Sequence, residues 1–190
     1  MARLEDDSGL TLDVRFAGVM FGAWVSYDFA LLWRGEPVIN PAIPRKRTPT
    51  ERTQDWEALE LGADSLVLSL REALGGADWV QWAPIEPDVE ITLHRWALSD
   101  DKHKSQSGQA TEQNSREYFD VTVMIDVYQF AGVDAYYGAG PALVMVVTRE
   151  KLAAFTEELD AEWIAFAKKN DVHAKNVAAG WWGADEDRIR

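Results

Sequence analysis

From residue 10 the chain alternates, with Leu10, Leu12, Val14 and Phe16 set against Thr11, Asp13 and Arg15. This is the period-2 pattern of a strand with one buried face. Gly18 and Gly22 flank a turn, and residues 24–33 then run almost continuously apolar and aromatic, predicting a central strand buried on both faces. Arg34-Gly35-Glu36-Pro37 ends that run, because proline cannot donate to a ladder. Four prolines between residues 37 and 53, among basic residues and threonines, predict an extended connection. Further on, Val89, Ile91 and Leu93 alternate with Glu90, Thr92 and His94; Phe119, Val121, Val123, Ile125 and Val127 alternate with Asp120, Thr122, Met124 and Asp126. Ala142 to Val147 reads as a last apolar strand.

Two segments carry helical periodicity. Leu66, Leu70 and Leu74, with Val67 beside them, form one face after a cap at Asp64 or Ser65, and Gly75-Gly76 supplies the stop. Thr148 opens a longer helix whose stripe is Leu152, Phe155, Leu159, Trp163 and Phe166, with Glu157, Glu158, Asp160 and Glu162 mostly off it. Residues 99–117 hold no aromatic and no aliphatic side chain larger than alanine, which predicts a mobile polar loop. Residues 170–190 read as an irregular tail. No internal repeat is evident. The order β-β-α-β-β-β-α predicts one α+β domain over residues 1–190, an antiparallel sheet of about five strands with two helices packed on one face.

Composition narrows the function classes. The 190 residues include no cysteine and carry a net charge of −13. Disulfides are excluded, and so large an acidic excess argues against a nucleic-acid surface. No apolar run approaches the ~20 residues that span a bilayer. The N-terminal residues lack an apolar signal core, so the expectation is a cytoplasmic protein. The charge is uneven: between Asp55 and Asp101 eleven acids face only Arg71 and Arg95, a local charge of −9. Such a field steers in a partner with a basic surface.

Catalytic patterns are missing. The three histidines, His94, His103 and His173, do not sit in sequence beside a serine with an orienting carboxylate, and there is no G-x-S-x-G. His-x-x-x-His and EF-hand spacings are also missing, and the consecutive Asp185, Glu186 and Asp187 do not converge on a metal. Gly138-Ala139-Gly140-Pro141 lacks the Lys-Ser or Lys-Thr of a phosphate loop. No cofactor or metal site is therefore expected. An enzyme alternative remains, a hydrolase or sugar-binding enzyme with a carboxylate pair in a Trp-lined cleft, since the chain has 9 tryptophans.

Binding features are easier to find. Asp134, Tyr136 and Tyr137 lie on a loop between strands, where tyrosine favours contact surfaces. The adjacent Trp181 and Trp182 cannot both face one way in a regular element, so they plug the core edge or meet a partner or second subunit. With Asp78, Glu86, Asp88 and Glu90 from the acidic segment, these make up the candidate protein-binding set. Residues 119–162, an alternating strand, Phe130-x-Gly132, Tyr137-Gly138-x-Gly140-Pro141, an apolar strand and a striped acidic helix, resemble the immunity proteins of bacterial toxin systems. That resemblance implies a non-catalytic protein that binds and neutralises a cognate toxin, and assigns no individual residue a role. A homo-oligomeric assembly subunit, as a homodimer for example, is a third expectation.

Overall fold

The computed structural model describes residues 1–20, 24–38, 53–58, 65–83, 89–98, 116–125 and 140–172. They form two antiparallel sheets and two helices, not one five-stranded sheet. The α+β class holds, and the single sheet is corrected.

The first sheet contains β1 (Ala2–Glu5), β2 (Leu10–Met20), β3 (Trp24–Trp33), β4 (Glu36–Pro37) and β5 (Thr53–Ala58). β2 lies between β1 and β3, while β4 and β5 share the other edge of β3. Leu10, Leu12, Val14 and Phe16 are buried as their alternation requires. Arg34 and Gly35 have φ of 52° and 87°, a two-residue turn with both centres left-handed, which matches the twist of a hairpin. The chain therefore doubles back into β4 rather than simply stopping. Trp33 is 54% exposed, so β3 is not buried on both faces at this end; the Arg34 guanidinium lies 5.0 Å from its ring centre.

The second sheet runs β6 (Trp79–Trp82), β7 (Val89–Leu98), β8 (Arg116–Ile125) and β9 (Ala142–Thr148). Arg116 and Glu117, expected in the polar loop, belong to β8; the rest of that loop, residues 99–115, lies outside the described residues. β1, β4, β5 and β6 are additional to the strands expected from periodicity.

Helix α1 (Ser65–Leu74) ends as its glycines dictate. The Ala77 N–H donates to Glu72 O and the Gly76 N–H to Ala73 O, with Gly76 at φ 114°; this paired arrangement closes a helix only where a left-handed residue is tolerated. Helix α2 (Arg149–Lys169) starts at Thr148, whose side chain accepts from the Lys151 N–H.

One apolar cluster joins both sheets and both helices. Leu152, Phe155, Leu159 and Trp163 of α2 are buried in it, with Leu66, Val67, Leu70 and Ala73 of α1. The sheets meet where Trp82 of β6 lies 5.8 Å, ring to ring, from both Tyr27 and Phe29 of β3. Two α2 carboxylates also serve the backbone of the first sheet: Glu158 accepts from the Arg3 N–H and Glu162 from the Phe16 N–H. Among the described residues no helix is long and apolar enough to cross a membrane.

Candidate protein-interaction face

With the inner positions of β6–β9 committed to the core, alternation turns the intervening residues outward. Register places them in rows. Trp79, His94, Asp120 and Val146 form one; Gln81, Thr92, Thr122 and Val144 form the next; Trp96, Tyr118 and Thr148 lie on the other side of the first. Trp79 is 58% exposed, Val144 54% and Val146 44%. This open face combines aromatic, aliphatic and hydroxyl groups, the composition of a contact surface.

Its centre is organised. The Trp96 and Tyr118 rings stack at 4.9 Å with 18° between their planes, and the Trp96 indole Nε1–H donates to Asp120 Oδ1 at 2.8 Å. Asp120 Oδ2 lies 3.9 Å from His94 Nδ1. Among the described residues no lysine or arginine comes within ion-pair range of Asp120, whose carboxylate is oriented by the Trp96 donor of its own face.

At the end of this sheet Arg95 joins Asp78 at 2.7 Å and Glu117 at 3.3 Å. Glu117 also holds Arg149, which donates to the Leu74 carbonyl at the end of α1. Charge and hydrogen bonding with Asp78 and Glu117 reinforce the protonated state of Arg95. This network fixes the start of α2 to the end of α1.

A cleft of about 740 Å³ lies between the β1–β2 turn and α2, lined by Arg3, Glu5, Asp6, Asp7, Lys151 and Glu158 among others. Its charges are largely engaged. Arg3 makes a two-pronged bond to Asp13 at 2.7 and 2.8 Å, and Lys151 meets Asp7 at 2.6 Å. Asp6 Oδ1 accepts from the Ser8 N–H, the Ser8 hydroxyl and the Leu10 N–H at 2.8, 2.7 and 3.0 Å. Burial pushes the Asp6 carboxyl up, but these bonds outweigh it and hold the group below its ordinary value. A general acid needs the opposite shift. No tryptophan lines this cleft, so it is not the Trp-lined carboxylate site that the enzyme alternative requires. Among the described residues no group of three or more His, Asp or Glu is placed to hold a metal ion.

Of the candidate binding residues, the structure describes two. Asp78 is exposed but paired with Arg95, hence not a free acid. Glu90 sits on the outer face of β7 and accepts from Gln81 Nε2 at 2.7 Å. Glu86, Asp88, Asp134, Tyr136, Tyr137, Trp181 and Trp182 lie outside the described residues, as do His103 and His173. Sequence reasoning missed Trp79, Trp96, Tyr118, Asp120, Val144 and Val146. Nor did the two valines announce themselves, because an unbroken apolar run such as β9 does not show which of its faces is covered. Compared with known proteins, the chain matches no family model, no curated protein and no solved structure.

Proposed function

We propose that this chain is a cytoplasmic, non-catalytic protein-binding domain whose contact surface is the outer face of β6–β9. The observation that supports this reading is the exposure of Trp79, Val144 and Val146 around the ordered centre formed by Trp96, Tyr118 and Asp120. Large exposed side chains on one sheet face mark a docking surface, because leaving them in water forgoes the gain from burial. The partner is basic: the chain carries −13, of which −9 falls within residues 55–101, the segment containing β6 and β7. The same charge opposes pairing with a second copy, which is why a basic partner is preferred over a homodimer. In the immunity form of this reading the basic partner is a toxin, blocked by coverage of its working surface.

The test is capture of a partner from the native organism by the immobilised chain, repeated with Val146→Glu. The reading expects a basic protein retained by the wild type and lost with the variant, and an on-rate that falls as salt rises through ~0.15 M. Equal retention by the variant, or a salt-independent on-rate, overturns it.

A further inference from the structure

The geometry points to a socket on this face, built by Asp120 with the stacked pair Trp96–Tyr118, that receives an arginine side chain of the partner. The inference rests on the reading that the outer face of β6–β9 is the contact surface, and it names the group recognised there. Three observations carry it. Asp120 is fixed by the Trp96 Nε1–H at one oxygen, and a carboxylate oxygen has capacity for further donors. The stacked rings occupy the neighbouring row of the same face, two residues along both β7 and β8. Finally, His94 is the only basic group among the described residues within range of the carboxylate, at 3.9 Å, and its side chain is 59% exposed.

A planar guanidinium suits this arrangement better than an ammonium. It can donate to the carboxylate while its face lies against an aromatic ring, whereas lysine offers a compact, strongly hydrated charge. Preorganisation helps as well: the Trp96 bond and the ring stack settle the orientation of the three side chains before the partner arrives, so less entropy is lost on contact.

The experiment is an NMR titration of the intact chain with N-acetyl-arginine amide and with N-acetyl-lysine amide at matched ionic strength. It is read at the Trp96 indole N–H, which is assigned by its loss in Trp96→Phe. The expected result is a saturable shift that reaches half-maximum at a several-fold lower concentration of the arginine probe, and that disappears in Asp120→Asn. Trp96→Phe itself, read at the Thr122 amide, keeps a ring but removes the orienting donor, and weakens the arginine response several-fold. Equal responses to the two probes, or an arginine shift that survives Asp120→Asn, overturn the socket. A flat titration at Trp96 likewise overturns it while leaving the Val146→Glu capture result standing; failure of that capture result overturns the face itself.

Discussion

The Asp6 carboxylate accepts from the backbone N–H of Leu10 at 3.0 Å, so the residue that opens the β1–β2 turn also holds the first residue of β2. The same oxygen accepts from the Ser8 N–H and hydroxyl, which closes the turn from within. Asp6 therefore gathers three donors of one short turn. Asp6→Ala is expected to cost about 1–3 kcal/mol, because it leaves partly buried N–H groups unpaired. Asp6→Asn, which keeps one carbonyl acceptor, is expected to cost less. Urea denaturation of the three proteins checks both expectations, and equal midpoints would show that the turn is held by other means.

Acid exposes the same group. Its carboxyl is held below the ordinary value in the folded chain, and about 3.9 is usual for an unfolded aspartate. The stability that it contributes is thus fully present above that unfolded value and is lost as pH falls through the lower folded one. Asp6→Asn has no such dependence. The stability gap between wild type and Asp6→Asn is expected to stay constant above about pH 5 and to narrow below about pH 4. A gap that holds steady to the acid end of the titration contradicts the assignment.

How far the fold was legible follows from how long each signal is. β8 and α2 show many periods of their patterns, and Phe119, Val121, Val123 and Ile125 are all buried, as are four of the five stripe residues of α2. By contrast β1 has four residues, Ala-Arg-Leu-Glu, whose two apolar positions are too few to stand out, and β6 is Trp-Val-Gln-Trp, where both faces carry a tryptophan. β5 (Thr-Gln-Asp-Trp-Glu-Ala) looks polar and is a strand because β3 offers it an edge. The five expected strands themselves divide, β2 and β3 into one sheet and β7, β8 and β9 into the other, and periodicity says nothing of which strands pair. The site was less legible still. Asp120 reads as one polar residue in an alternating strand, and only the register that places it diagonally from Trp96 gives it meaning.

Helix α2 offers a test of local signals. Thr148 is its N-cap, with Oγ1 accepting from the Lys151 N–H at 3.4 Å, and its hydroxyl also holds the Glu150 carboxyl below the ordinary value. Thr148→Ala is expected to destabilise the chain by about 0.5–2 kcal/mol, and Thr148→Ser by much less, since serine caps as well as threonine. Leu159, fully buried one turn before Trp163, is a packing position instead; Leu159→Ala is expected to cost about 2–5 kcal/mol. Thermal melts of the three variants separate these effects.

Three consecutive residues of β9 separate binding from folding. Val144 and Val146 point outward and are exposed, while Met145 between them is fully buried against the core. Replacing both valines with threonine keeps the branched shape that suits a strand and removes an outward methyl from each. The double variant Val144→Thr, Val146→Thr is therefore expected to stay within about 0.5 kcal/mol of wild-type stability, yet to lose affinity for the captured partner. Met145→Ala is expected to do the reverse, destabilising the fold by about 2–5 kcal/mol while binding normally at temperatures where it remains folded. If the double variant keeps full affinity, the β9 margin lies outside the contact surface, and the interface must be sought nearer Trp79 and Trp96.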